Sequence, residues 1–197
     1  MRFICQRDYP DMPYRTCTDT PEDEYGQHTT VSSSACGPCC AIMAADRLLT
    51  DYQFDVEDAI QLSYDTGANH ERGTDYAIYA PAFAEKFGLS YRPSDDLEEV
   101  KACLRNGGVA VALVKNREGY VSVFTRKEHF VTLISVDEKD IFTVLDPNQY
   151  DGKFEEEGRA GRVTVDGHFI YCTGELLTEE TGGRPATRYH LFQRKKK

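Results

Sequence analysis

The chain has no tryptophan and only three methionines in 197 residues. It also has no apolar run approaching the roughly 20 residues that a membrane helix needs, so no membrane partner is expected. The opening Met1-Arg2-Phe3-Ile4-Cys5-Gln6-Arg7-Asp8 carries no apolar signal-peptide core, and the chain as written reads as cytoplasmic. Basic residues are in deficit, with 23 Lys and Arg against 33 Asp and Glu and a net charge of −10. A surplus of that sign repels phosphate backbones and anionic lipid, which excludes nucleic acid as a natural partner. The basic ending Arg194-Lys195-Lys196-Lys197 is a short solvated tail. Internal repeats and low-complexity stretches are absent, and nothing in the sequence speaks to oligomeric state.

Seven cysteines, an odd number at irregular spacing, do not form the framework of a disulfide-stapled fold. Cys36 and Cys39 with His168 and Cys172 have spacings from which a metal site could be drawn, but the second pair reads as strand rather than as a knuckle or helix. No metal and no cofactor is expected. The length suits a single domain over 1–197 with a core of its own.

What the chain does have is Ser32-Ser33-Ser34-Ala35-Cys36-Gly37-Pro38-Cys39-Cys40-Ala41-Ile42-Met43-Ala44-Ala45. Small residues lead to a cysteine at the mouth of a helix that is apolar all round in its first half. Proline fits the first turn of a helix, where its missing N–H is not needed. A thiol at that end meets the positive pole of the helix dipole, which favours its thiolate and makes a nucleophile. Cys36-Gly37-Pro38-Cys39 is also the dithiol pattern of thioredoxins. That chemistry needs a buried strand running into the first cysteine, whereas the approach here is polar and small. A buried, unreactive cysteine is the plain alternative.

Residues 1–35 read as an extended arm. Helices are predicted over 37–49, 56–64, 74–87 and 96–105, the third holding Pro81 as a kink or break and the fourth capped by Ser94 or Asp95. Strands are predicted over 109–114, 129–136 and 141–145, with weaker ones over 162–165, 169–172 and 188–192; 120–124 is a strand or a loop. Helices followed by strands indicate an α+β fold with segregated halves. The role of 150–197 is not evident.

A thiolate needs a base, and the base an orienter. His129 opens a buried strand whose hairpin returns to Asp146-Pro147-Asn148. With the turn centred on Glu138-Lys139, Val136 faces Ile141, Val131 faces Asp146 and His129 faces Asn148. The side chains of His129, Asn148 and Asp146 then share one sheet face, with Asp146 diagonal to His129 and a bulge at Pro147 shortening the gap. Asp146 is the orienter, with Asn148 as its alternative. His168 competes for the role of base but no aspartate follows it. His28, His70 and His190 stand in polar surroundings and read as surface.

These segments resemble the double-glycine leader peptidase superfamily, a branch of the papain-like cysteine peptidases. The resemblance rests on Ser34-Ala35-Cys36-Gly37-Pro38, Asn106-Gly107-Gly108 before a strand, His129-Phe130-Val131-Thr132-Leu133 and Leu145-Asp146-Pro147-Asn148, and it runs from about Gln6 to Asn148. It implies a papain-like fold with the nucleophile helix packed on an antiparallel sheet, Cys36 as nucleophile, His129 as base and acid, and Asp146 as orienter. In that family a glutamine commonly stands about six residues before the nucleophile and helps bind the oxyanion. Thr30 holds that place here, and Gln27 and Gln6 are the two candidates for the task. The function expected is a cysteine hydrolase acting on a peptide or amide substrate through an acyl-enzyme. The alternatives are an acyltransferase or amidase with the same triad, an inactive peptide-binding domain, and a thiol–disulfide oxidoreductase using Cys36 and Cys39.

Overall fold

In a computed structural model, which describes residues 1–16, 29–69, 73–183 and 187–195, three helices begin where an aspartate side chain satisfies a free N–H group. Asp55 accepts from the Asp58 N–H and opens α3 (Val56–Thr66), which ends at Gly67 in the left-handed region. Asp75 opens α4 (Tyr76–Lys86), and Asp96 opens α5 (Leu97–Arg105) by accepting from the Glu98 N–H. The expected caps Ser94 and Asp95 are therefore displaced by Asp96. Helix α4 continues through Pro81 unbroken. Its start falls at Tyr76 rather than at Thr74.

Two shorter helical pieces sit in the segment expected to be an extended arm. One is a 3-10 turn over Gln6–Asp8 and the other is α1 (Val31–Ser34). Ala35 ends α1 and precedes α2 (Cys36–Leu48), so the two helices are separated by a single residue. Every residue from Gly37 to Ala45 is buried, as an all-round apolar helix half requires. Helix α3 buries Val56, Ala59, Ile60 and Ser63, and the hydroxyl on that stripe is used, since Ser63 Oγ meets Tyr14 Oη at 2.7 Å.

The strands are β1 (Leu89–Ser94), β2 (Val109–Lys115), β3 (Glu128–Val136), β4 (Ile141–Leu145), β5 (Thr164–Asp166), β6 (Phe169–Thr173) and β7 (Tyr189–Arg194). They form one sheet in the order β1-β7-β2-β3-β4-β6-β5. Every pairing is antiparallel. The separation of helices from strands along the chain is not kept: β1 lies between α4 and α5, and α6 (Gly174–Thr181) follows β6. Strand β1 carries Pro93 at the sheet edge, where a missing N–H is tolerated. The stretch over 120–124 is a loop, held from beneath by the fully buried Glu180 of α6. That carboxylate accepts from Tyr120 Oη at 2.7 Å and from the Val123 N–H at 2.8 Å.

Alternation along β2 and β3 divides the core in two. Val109, Val111, Phe130 and Ile134 face α2, α3 and α4, while Ala110, Ala112, Val131 and Leu133 face α5 and α6. Thr132 of the first set donates to the Cys40 carbonyl at 3.4 Å, pinning α2 across β3. The β3–β4 hairpin departs from its expected register at the turn. Leu133 pairs with Val144 as predicted, but Val136 pairs with Phe142 rather than Ile141, with the shift between Leu133 and Ser135. The cause is a longer turn, in which Asp140 adopts φ 60° and the Asp137 N–H bonds to the Ile141 carbonyl. A register shift thus lies near the turn, and the Thr132–Leu145 end, where the ladder stops short of Pro147, keeps the predicted pairing.

Candidate active site

Cys36 is the first residue of α2 and is partly exposed, whereas the residues after it are buried. The helix start passes so close to the 74–76 segment that a Cβ on Gly37 would come within 3.1 Å of Thr74 Cβ and of the Tyr76 ring. A side chain at position 37 would crowd the Cys36 end of the helix against that segment. Burial opposes charge on Cys36, but the His129 hydrogen bond and charge, with the N–H groups of Phe130 and Gly37, outweigh it. The thiol is held below its ordinary value.

His129 lies near the start of β3 and is buried. Its Nε2 stands 2.8 Å from Asp146 Oδ1, so Nδ1 is the nitrogen left to meet Cys36. Burial disfavours the imidazolium, yet the Asp146 charge and hydrogen bond, joined by those of Cys36, raise His129 to about 9. Asp146 follows β4 directly and has no exposed surface. Its Oδ1 also accepts the Asn148 N–H at 2.8 Å. Burial would favour the neutral acid, but Lys153 and His129 hold the carboxyl well below the usual carboxylate range.

Lys153 was not expected from the sequence. Its Nζ stands 2.5 Å from Asp146 Oδ2 and 3.0 Å from the Asn148 carbonyl, and the residue is 1% exposed. His129, Asp146 and Lys153 thus form one hydrogen-bonded line from the start of β3 to a 3-10 turn over Lys153–Glu155, and Cys36 at the start of α2 is electrostatically coupled to its His129 end. A lysine in Asp151-Gly152-Lys153-Phe154 looks like an ordinary turn lysine, and only its lack of exposure distinguishes it.

The other candidates are distributed as follows. Gln6 is buried between two parts of the site: its N–H donates to the Pro147 carbonyl at 2.7 Å and its Nε2 to the Ser32 carbonyl at 2.6 Å. Its Oε1 is buried without a partner. Gln27, His28 and His70 lie outside the described residues. The Asn148 side chain turns to Arg7, with Oδ1 3.4 Å from the guanidinium, and only its backbone reaches Asp146. His168 is exposed and stacks on Phe3 with ring centroids 4.0 Å apart. His190, expected at the surface, is instead 3% exposed, because β7 is drawn into the sheet between β1 and β2. Burial lowers it to about 4, and Tyr91 Oη sits 2.9 Å from its Nδ1. Cys39 and Cys40 are fully buried, which pushes both thiols far up. Among the described residues no group of three His, Cys, Asp or Glu is placed to hold a metal ion, and no helix is long and apolar enough to cross a membrane.

No family model and no curated protein matches this chain. Among solved structures it is similar to a Bacillus anthracis protein assigned as a C39-like peptidase. That similarity has a TM-score of 0.39 and 11% identity, and it covers 62% of this chain and 60% of the other. The chain therefore spans less than two thirds of the length of the structure it matches.

Proposed function

We propose that the chain is a cysteine hydrolase that cleaves a peptide or amide bond. The observation that supports this most strongly is the buried His129–Asp146 pair, 2.8 Å apart and coupled to Cys36 at the start of a buried helix, with the thiol lowered and the imidazole raised to about 9. In this reading His129 Nδ1 takes the Cys36 proton, and the thiolate sulfur adds to the substrate carbonyl carbon. The carbonyl π pair moves to oxygen, where the Cys36 N–H at the helix start receives it together with one glutamine amide. Gln6 has one Nε2 hydrogen on Ser32 and a second to offer; Gln27 is the alternative. The tetrahedral species expels the amine, which leaves with the proton from His129. Water, deprotonated by His129, then releases the acyl group as a carboxylate and restores the thiol. An amine in place of water would make the same site an acyltransferase.

The dithiol alternative is disfavoured by Cys39, whose thiol is locked in the core and pushed up by burial. The test is alkylation at limiting iodoacetamide near neutral pH, read by peptide mass spectrometry. Cys36 should be marked before any other cysteine, and Cys36→Ala should abolish turnover of a peptide library while Cys39→Ala keeps most of it. First labelling elsewhere, or a folded Cys39→Ala chain as inactive as Cys36→Ala, would overturn the proposal. Cys36 labelled first, with no turnover of any peptide or amide, would leave the inactive binding domain in its place.

A further inference from the structure

Lysine is almost never fully buried unless it is paired. Lys153 is 1% exposed and its ammonium is spent entirely on the site: 2.5 Å to Asp146 Oδ2 and 3.0 Å to the Asn148 carbonyl. The Tyr150 and Phe154 rings each lie 5.7 Å from Nζ and close it off. The chain is built to bring it there. After Asn148 it turns at Gly152, with φ 78°, into the 3-10 turn over Lys153–Glu155. For stability alone, a buried ion pair gains little over apolar residues of the same volume. The position of the charge is therefore the informative feature.

Asp146 divides its two oxygens. Oδ1 serves His129 and the Asn148 N–H, and Oδ2 serves Lys153. A carboxylate held at both oxygens cannot rotate away from the imidazole. The charge count also changes: thiolate, imidazolium and carboxylate sum to one negative charge, which Lys153 neutralises. We propose that Lys153 is a positioning residue of this site, which fixes Asp146 against His129 and, by its positive charge, sets the working pH range of the Cys36–His129 pair lower than Cys36, His129 and Asp146 alone would give. The proposal rests on the reading of Cys36 as the nucleophile.

The other charged or titratable groups facing this cluster do not take that part. Arg7, from the 3-10 turn over Gln6–Asp8, lies over the Tyr150 ring at 4.8 Å and meets Asn148 Oδ1, not the carboxylate. Cys5, whose Sγ meets the Gln149 carbonyl at 3.5 Å, is pushed up by burial and, to a smaller extent, by Asp8 on the adjoining turn. Cys39 and Cys40 of α2 are thiols pushed far up by burial. Glu156 is engaged by Tyr150 Oη and Arg126, and Arg159 by Glu156 and the Ser122 carbonyl.

The sign follows from electrostatics. Both proton losses, thiol to thiolate and imidazolium to imidazole, are favoured by a nearby positive charge, so removing Lys153 raises both midpoints. A unit charge at about 6 Å, taken as the order of a separation bridged by one carboxylate, at an effective dielectric near 20, amounts to about two pKa units before relaxation. A merely structural lysine gives the opposite sign at the ring: if its loss frees Asp146, His129 loses its carboxylate and its midpoint falls.

The experiment titrates the full-length chain by two direct signals that need no substrate. One is the thiolate absorbance of Cys36, taken as a difference against Cys36→Ser. The other is the ring-carbon NMR shift of His129. Lys153→Met and Lys153→Gln should move both midpoints upward by about one unit or more, and Lys153→Arg should restore both. Gln keeps a donor toward Asp146 and decides the case should the Met variant not fold. Midpoints that stay in place, or a His129 midpoint that falls in the folded neutral variants, would overturn the proposal. Failure of the underlying reading is separately visible: the unsubstituted chain would then show Cys36 ionising at about the ordinary thiol value of 8.5.

Discussion

Replacing Asp146 by asparagine keeps the side-chain shape and removes the charge that three donors share. His129 Nε2 at 2.8 Å, the Asn148 N–H at 2.8 Å and Lys153 Nζ at 2.5 Å all point at a carboxylate with no exposed surface. The first consequence is a buried ammonium on Lys153 without a counter-ion, which costs about 3–5 kcal/mol. The second depends on pH. His129 is raised from 6.5 to about 9 in the folded chain, so its contribution to stability is fully present below about 6.5 and is lost as pH rises through about 9. That interval of roughly 2.5 units corresponds to about 3 kcal/mol. With asparagine, burial becomes the larger influence on the ring, and its contribution changes sign: folding then requires a neutral ring and weakens as pH falls. The comparison belongs in a Cys36→Ser background, which removes a thiolate that titrates in the same range. Asp146 supplies the largest upward influence on His129, so the effect survives in that background. Urea unfolding of Cys36→Ser and of Cys36→Ser with Asp146→Asn, from about pH 6 to about pH 9, gives the difference in stability directly. The buried thiols of Cys39, Cys40, Cys103 and Cys172 are common to both chains and cancel. The gap should be widest at the acid end and narrow by about 3 kcal/mol toward the alkaline end. A gap that does not change across that range would refute the argument that Asp146 holds the proton on His129.

Two further substitutions examine the frame around the site. Gly108→Ala would place its Cβ 2.5 Å from Cys103 Sγ and 2.8 Å from both the Cys103 carbonyl oxygen and Gln193 Cγ; because the carbonyl is backbone, the chain should lose about 2 kcal/mol or more, and an unchanged thermal midpoint would count against this packing. His190, lowered to about 4 by burial, contributes stability that is present above its ordinary value of 6.5 and lost as pH falls through about 4. His190→Phe should therefore move the acid-unfolding midpoint to lower pH, while losing about 1 kcal/mol at neutral pH with the Tyr91 hydrogen bond; an acid midpoint that stays put would show that this ring is not what titrates.

Local patterns carried some of this protein unaided. The helix behind Cys36 is legible because its first half is apolar on every side, and only a central helix can be so. The 141–145 strand and the Thr132–Leu145 pairing are legible because strand alternation and a short hairpin involve neighbours in sequence. Where the turn chemistry was misjudged, at Asp140, the register failed only at that end. The rest was decided by distant segments. Strand β7 enters between β1 and β2, and that pairing alone turns His190 from a surface residue into a buried one. Gln6 is fixed by the Pro147 and Ser32 carbonyls, both far along the chain from it. Lys153 gave no local sign of burial, because a charged side chain can be removed from water only where a counter-charge is already waiting. Asp146 is that counter-charge, and its own burial depends on His129, so the polar interior of this site exists only once the hairpin, the helix start and the 3-10 turn have come together.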